Sequence, residues 1–154
     1  KLYSQLIKEF GKDILDKNNN INRDRLGNIV FNDNKKLKKL NSIMHPIIIN
    51  EIKNQIKRIK NKCGSKAKII VDAPLLLETE TKNLIDKIIV VKCDVDKIIK
   101  RNKKYKKEKI EKILNAQMPL KEKLKYADFV IDNNRDLKYL ENHVKKIIQQ
   151  LNQR

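Results

Sequence analysis

The chain has 154 residues, of which 40% are apolar, enough for one compact domain, so the sequence is not that of a disordered protein. Its net charge of +18 comes from 31 Lys and 6 Arg against 19 acidic residues. Because Lys far outnumbers Arg and occurs alongside many Ile and Asn, an AT-rich coding bias explains the excess better than a nucleic-acid-binding surface. With only Cys63 and Cys93, far apart, and no apolar run near the roughly 18 residues of a membrane span, the sequence disfavours a disulfide framework, a zinc site and membrane insertion.

The first predicted element is an amphipathic helix over residues 1–10. Its apolar residues recur on one helical face: Leu2, Leu6, Ile7 and Phe10. Gly11 is suited to ending this helix, and the polar residues 16–20 are typical of a surface turn. A second short helix is expected over residues 23–31. Because the sequence opens with Lys1 already inside a helical pattern, we expect it to begin within a longer protein.

A long helix gives the clearest pattern in the sequence. Apolar residues recur at spacings of three and four from Leu37 to Ile59, so they lie on one helical stripe. Pro46 falls within this stripe and is expected to kink or restart the helix, because it has no N–H to donate. The residues 63–65 then predict a turn.

Short β-branched runs predict the strands of a parallel sheet. They cover residues 67–72, 86–93 and 128–132. Helical patterns around 96–103 and 107–117 lie between the last two runs, and another amphipathic helix is expected over 136–151. Strands that alternate with helices predict the α/β class. Ligands of such sheets bind at the carboxyl ends of the strands, so the residues after each run are the first candidates for a site.

Residues 101–125 have the character of an inserted lid. Their first part, RNKKYKKEK from Arg101 to Lys109, is almost wholly charged and has too little apolar surface for a core position. We therefore expect this segment to be mobile or to face the solvent.

Four motifs then occur in a specific order. They are RDRLGNIVF at residues 23–31, LNSIMHPI at 40–47, VDAPLLLE at 71–78, and a region from Ile113 that contains Gln117 and YADFVIDNN. A His-Pro pair after a helical Leu stripe, then D-x-P-L-L-x-E, then A-D-x-V-I-x-N at these separations is hard to obtain by chance. By these motifs, the chain resembles the dephospho-CoA kinase family over essentially its whole length.

The resemblance implies a three-layer P-loop kinase sandwich with a parallel sheet, a helical substrate region and a lid. It implies one domain over residues 1–154, with a mainly helical coenzyme A-binding region at 1–62 and the lid at 101–125. The implied reaction transfers the γ-phosphate of ATP to the ribose 3′-hydroxyl of dephospho-CoA, the last step of coenzyme A biosynthesis, with Mg²⁺. The implied partners are these two small molecules. We expect no specific nucleic acid, no membrane, a monomer or weak oligomer, and a cytoplasmic location.

For ATP, the resemblance points to Arg101, Asn133 and Gln117. Arg101 matches the family's arginine at the base of the lid, where a guanidinium can stack on adenine or pair with phosphate. A solvated surface arginine is the alternative. Asn133 matches the loop that holds adenine through hydrogen bonds, although an Asn at this place also forms turns. Gln117 belongs to the motif that precedes the last strand.

For dephospho-CoA, the resemblance points to motif residues on two segments: Arg23, His45, Pro74, Leu75, Leu76 and Glu78. Arg23 is suited to pairing with a substrate phosphate, whereas His45, beside Pro46, is more often a structural histidine. The apolar turn at Pro74 would exclude water from the transfer, or belong to the core. Asp72, at the tip of the first predicted strand, is suited to orienting Mg²⁺ through water, with a turn cap as its alternative.

The sequence also departs from the family. It contains no G-x-x-x-x-G-K-[ST] loop, and its only Gly residues are Gly11, Gly27 and Gly64. In the family this loop comes first, followed by a helix and a second strand with the general-base Asp, so we expect the first two strands and these catalytic groups upstream of Lys1. We expect the chain alone to be inactive and poorly stable, because its sheet edges would be unpaired. Tyr105 also stands about where members carry a second lid Arg.

The sequence leaves two other functions open as alternatives to the kinase. A lysine-rich module that binds RNA or another polyanion on a kinase-like scaffold would show steeply salt-dependent binding. It is disfavoured because the chain has no Trp, three Phe and four Tyr, which leaves little surface for base stacking. A structural subunit that completes its sheet with a partner strand is the other alternative, and no residue points to a particular partner.

Overall fold

The computed structural model describes residues 1–153, which fall into two compact units divided in the sequence between Val71 and Asp72. The first unit is helical: α1 Leu2–Phe10, α2 Arg23–Val30 and α3 Asn34–Cys63. The second contains β1 Ile89–Lys92, α4 Val95–Arg101, α5 Lys107–Asn115, α6 Leu120–Leu124, β2 Phe129–Asp132 and α7 Leu137–Asn152. Short 3₁₀ helices, which were not predicted, cover Lys12–Ile14, Leu76–Glu78 and Glu80–Leu84.

The first unit has a small core made by residues far apart in its sequence. Leu6 of α1, Ile14 of the first 3₁₀ helix and Ile43 of α3 are buried together. Leu6 belongs to the helical face predicted for the first ten residues. At the start of α2, the side chain of Asn22 accepts hydrogen bonds from the amides of Asp24 and Arg25, which caps the helix.

The long helix α3 is continuous from Asn34 to Cys63, with Pro46 inside it, so the helix does not restart there as proposed. A proline removes one hydrogen bond, the one its own N–H would make to the carbonyl four residues earlier. The helix keeps a side-chain cap at its start, where Asp33 accepts from the amides of Lys35 and Lys36. Gly64, the residue that follows the helix, has a φ of 88°, which is favourable for glycine.

The second unit is built around a parallel pair of strands. β1 and β2 pair in register from Ile89 with Phe129 to Lys92 with Asp132, and α4, α5 and α6 lie between them in the sequence. Parallel strands require such a crossover connection. Helix α7 packs on β2. Both strands and the helices α4, α5 and α7 were predicted to within a few residues, α6 was not predicted, and the α/β class is confirmed.

The first predicted strand is wrong. Residues 67–72 form no strand in the described chain, and Ile70 is 92% exposed. A strand is defined by hydrogen bonds to a neighbour, and the sheet of the described residues has two strands, β1 and β2. The β-branched composition of the run is therefore not sufficient to form a strand here.

The segment 101–125 is only partly exposed. Its residues from Arg101 to Lys104 are exposed, as expected, but α5 buries Ile110 to 5% exposure. The expectation that the whole segment faces the solvent is wrong for α5, because its apolar residues at spacings of three and four give it a buried face. Among residues 1–153, no helix is both long enough and apolar enough to cross a membrane.

Candidate functional site

The carboxyl ends of β1 and β2 border an open pocket of about 270 Å³, which we call the edge pocket. It is lined by Cys93, Ile98, Arg101, Asn102 and Asn133. The lining follows from the topology, because Cys93 comes directly after β1 and Asn133 directly after β2, at the same edge of the parallel pair. Ligands of open α/β sheets bind at this edge. The edge pocket therefore lies where the sequence predicts a ligand site.

Arg101, the last residue of α4, connects the edge pocket to the loop after β2. Its Nη1 atom donates to the backbone carbonyl of Asn133 at 2.7 Å and to Oδ1 of the same residue at 3.2 Å. Its Nη2 atom donates to the carbonyl of Arg135 at 3.3 Å. Nη1 also lies 3.7 Å from the sulfur of Cys93. The structure thus brings together Arg101 and Asn133, two of the residues predicted for ATP.

Asn134 fixes the same loop from its other side. Its side-chain Oδ1 accepts from the amide of Asp94 at 2.8 Å, and its carbonyl accepts from Nζ of Lys97 at 2.9 Å. Its own amide donates to Oδ1 of Asp132 at 2.8 Å. The loops that follow β1 and β2 are therefore joined by hydrogen bonds, as expected of a preformed site.

Asp132 is ionised in this arrangement. The backbone N–H of Asn134 lowers the pKa of Asp132 below its usual value of 3.8, and Lys92 lowers this pKa further, against a partial loss of solvent that raises it. The Lys92 ammonium lies 3.3 Å from the carboxylate. Asp132 therefore orders the loop as a carboxylate acceptor.

A second polar cluster, which we call the lysine clamp, lies around Lys123 of α6. Nζ of Lys123 donates to Oε1 of Gln117 at 3.0 Å and to the carbonyl of Pro74 at 3.3 Å, and lies 3.8 Å from Oε1 of Glu78. The same Glu78 oxygen accepts from the amide of Met118 at 2.8 Å. The clamp thus joins the turn at residues 74–78 to the chain between α5 and α6.

The lysine clamp groups residues that were predicted to contact different substrates. Glu78 and Pro74 were predicted for dephospho-CoA, whereas Gln117 was predicted for ATP. Gln117 is bonded to Lys123 and is not among the residues that line the edge pocket. Lys123 itself was missed, and the sequence carries no signal for it, because two of its partners, Pro74 and Glu78, lie in a distant segment.

The other predicted residues of the second unit lie near its start. Asp72 and Pro74 are exposed, and Leu75 and Leu76 are half-buried. For Pro74, exposure argues against the alternative of a core residue. Among residues 1–153, no group of three or more His, Cys, Asp or Glu side chains is placed to hold a metal ion.

Two predicted residues belong to the first unit. Arg23 is the exposed first residue of α2. His45 lies within α3 and is half-buried, and its Nε2 atom is buried with no hydrogen-bond partner among the described residues. A buried polar atom without a partner is unfavourable, so a water molecule or a ligand atom at Nε2 would stabilise this position, and both predicted roles of His45 stay open.

Comparison with known proteins identifies the family. The family model of dephospho-CoA kinase matches residues 1–139. The chain belongs to the dephospho-CoA kinase family. Its curated relatives include the dephospho-CoA kinase of Lactobacillus johnsonii, 37% identical over 153 residues that cover 97% of this chain and 76% of the relative. The dephospho-CoA kinase of Fusobacterium nucleatum is 42% identical over 146 residues, or 92% of this chain and 72% of the relative.

Solved structures agree with this family assignment. A dephospho-CoA kinase from Campylobacter jejuni superposes with a TM-score of 0.60 and 28% identity, covering 97% of this chain and 75% of that one. TT1252 from Thermus thermophilus superposes with a TM-score of 0.68 at 24% identity, covering 96% and 75%, which shows a shared fold. The chain thus spans about three-quarters of the lengths of the proteins it matches. The position of a phosphate loop and two further strands upstream of Lys1 stays a prediction.

Proposed function

We propose that this protein is a kinase that transfers the γ-phosphoryl group of ATP to the ribose 3′-hydroxyl of dephospho-CoA. The observation that carries the proposal is the meeting of Arg101 and Asn133 at the carboxyl edge of the parallel strands, in a chain of the dephospho-CoA kinase family. Phosphoryl transfer needs positioned groups and positive charge near the phosphates rather than a covalent nucleophile. In this chain, Arg101 supplies positive charge, and its hydrogen bond to Asn133 holds it in position.

We assign ATP to the edge pocket. Arg101 presents a planar cation that can stack on an adenine ring or pair with phosphate oxygens. Asn133 presents an amide suited to hydrogen bonds with a base edge. Their mutual hydrogen bonds hold both side chains before a ligand arrives, which reduces the entropy lost on binding. Gln117 is also assigned to ATP: Lys123 engages its amide oxygen, and its amide nitrogen is the group that would donate to the nucleotide.

We assign dephospho-CoA to residues of both units. In the first, the Arg23 guanidinium is exposed for a phosphate, and His45 would exchange a hydrogen bond with a substrate atom if binding uncovers its buried Nε2. In the second, Pro74, Leu75 and Leu76 provide an apolar turn that limits the access of water. Glu78 acts through this turn, because its carboxylate already accepts the Met118 amide.

Among the predicted site residues, Asp72 is the one proposed to interact with Mg²⁺. Asp72 offers a single exposed carboxylate, a hard oxygen ligand of the kind Mg²⁺ prefers. Mg²⁺ commonly binds through one or two carboxylates, substrate phosphates and several waters, so one carboxylate is compatible with a water-mediated contact. When bound, the ion would neutralise charge on the ATP phosphates. Asp72 would contribute by orienting a water of its shell.

Several expectations remain part of this proposal. The segment 101–125 would act as the lid, residues 1–62 would contain the coenzyme A-binding region, and the protein would be a monomer or weak oligomer. The phosphate loop and the general-base Asp would precede Lys1. Neither the Lys excess nor any described contact favours nucleic acid over these small molecules.

The test is an assay of ATP-dependent conversion of dephospho-CoA to coenzyme A. Residues 1–154 would be compared with the same chain extended upstream through a phosphate-loop sequence of a relative. Turnover by the extended form alone is expected. Turnover by residues 1–154 alone would contradict the predicted need for the upstream loop, and no turnover by either form would count against the kinase function and make salt-dependent RNA binding the next measurement.

A further inference from the structure

The lysine clamp connects two segments that the proposed function assigns to different substrates. One end is the turn at residues 74–78, assigned to dephospho-CoA, and the other is the chain at Gln117 and Met118, between α5 and α6. A single ammonium group reaches both, through the carbonyl of Pro74 and Oε1 of Gln117. Because Lys has three N–H donors and no acceptor, these contacts use most of its hydrogen-bonding capacity.

Lys123 is also more enclosed than other lysines that form ion pairs in this chain. Its side chain is 19% exposed and that of Glu78 is 22% exposed, whereas Lys125, two positions on, is 62% exposed. Partial removal from water strengthens the attraction between Lys123 and Glu78 and makes an unpaired charge at either position unfavourable. The enclosed pair is therefore suited to holding a fixed geometry, unlike the exposed pairs.

Glu78 extends the clamp to the backbone. Its Oε1 atom lies 3.8 Å from Nζ of Lys123 and accepts from the Met118 amide at 2.8 Å. A hydrogen bond to a charged acceptor is shorter and stronger than a neutral one. Gln117 is thus fixed twice, through its own side chain and through the amide of the next residue.

We propose that Lys123 is a positioning residue for the kinase reaction, which couples the ATP side of the site to the dephospho-CoA side. This inference rests on the proposed function. Lys123 contacts neither substrate; it sets the distance between Gln117 and the Pro74 to Glu78 turn. A displacement of about 1 Å between reacting groups can lower a rate about a hundredfold, so a residue that fixes such a distance affects turnover without touching substrate.

The proposal predicts a particular kinetic change in Lys123→Met, which keeps the length of the aliphatic stem and removes the ammonium. In the upstream-extended protein, which we expect to turn over, kcat should fall about tenfold, and KM should rise for both ATP and dephospho-CoA. Lys123→Arg, which restores a cation with several donors, should recover most of the loss. A residue serving one substrate would change one KM only.

The matched control is Lys121→Met on the same helix, where an exposed lysine is changed in the same way. It removes the same charge from the same protein surface, and we expect wild-type kinetics. Thermal unfolding of all variants separates a positioning role from a stability role. If kcat and both KM values of Lys123→Met match the control at a temperature where both are folded, the proposal is wrong.

A second measurement needs no turnover. Hydrogen exchange at the Met118 amide reports its bond to Glu78, and we expect it to speed up in Lys123→Met and not in Lys121→Met. If exchange is unchanged, Lys123 does not position this segment, whatever the activity. If the wild-type protein binds and phosphorylates no dephospho-CoA, the proposed function fails and takes the substrate coupling with it, while faster exchange would still show that Lys123 holds the segment.

Discussion

The edge pocket and the lysine clamp are both organised by one basic side chain, but the two side chains are used differently. Arg101 is exposed at a pocket and binds mainly the backbone carbonyls of the loop after β2. Lys123 is enclosed and directs its charge at protein acceptors. A guanidinium keeps flat faces and further N–H groups after such bonds, whereas an ammonium has only three donors. Arg101 is therefore suited to contacting a ligand, and Lys123 to holding protein segments.

The largest expected effect follows from Arg101→Ala. This change removes the cation of the edge pocket and the bonds that hold the loop at Asn133 and Arg135. Hydrogen bonds to charged groups contribute about 1.5–3 kcal/mol each, so we expect ATP affinity to fall about thirtyfold. Isothermal titration calorimetry of ATP binding to wild type and to Arg101→Ala measures this change.

The control for this prediction is Lys100→Ala, which removes an exposed charge from the same helix. We expect a much smaller loss of ATP affinity, and one that disappears at high salt, because an exposed charge acts only at long range. Arg101→Lys should behave more like Arg101→Ala than like wild type, since an ammonium cannot reproduce the forked contacts. Equal ATP affinities of wild type and Arg101→Ala would show that ATP does not bind at the edge pocket.

The next effect concerns the lysine clamp and should appear as stability rather than affinity. Glu78→Ala leaves the Met118 amide without its acceptor and Lys123 without its carboxylate. A part-buried donor left unpaired costs about 1–3 kcal/mol, so the free energy of unfolding in urea should fall by about that amount. Glu78→Gln keeps a carbonyl oxygen at the same place and should lose less. If the two variants unfold alike, the Met118 bond is not what Glu78 contributes.

Local patterns were enough to predict most elements of the fold. The apolar spacing that predicted a helix at residues 1–10 corresponds to α1, and the β-branched runs at 86–93 and 128–132 contain β1 and β2. The juxtaposition of Arg101 with Asn133 was also accessible, because parallel strands place the residues that follow them at one edge. These predictions depend on periodicity and topology, both of which are encoded in short stretches.

Features that depend on distant partners were not predictable. Residues 67–72 have the composition of a strand but no strand beside them in the described chain, and composition does not report a neighbour. Lys123 is one of 31 lysines in the sequence, and only the fold distinguishes it by bringing Pro74 and Glu78 to its ammonium. Pro46 was expected to kink or restart α3, but the capped helix does not restart there.

The smallest expected effect is the pH dependence that Asp132 gives to the loop at the edge pocket. The Asn134 amide and Lys92 lower the pKa of this carboxyl below 3.8 in the folded protein, so its stabilising contribution is complete above that pH. The contribution is lost as the pH falls from 3.8 through the lower folded pKa. Asp132→Asn should therefore unfold more easily than wild type at pH 6, with a difference that shrinks below pH 3.8, as followed by urea unfolding at several pH values.

The control is Asp86→Asn, at an exposed acidic position before β1. Its free energy of unfolding should change with pH below 3.8 in the same way as that of wild type. A difference between wild type and Asp132→Asn that stays constant down to pH 2 would mean that the loop is not held by the ionised carboxylate.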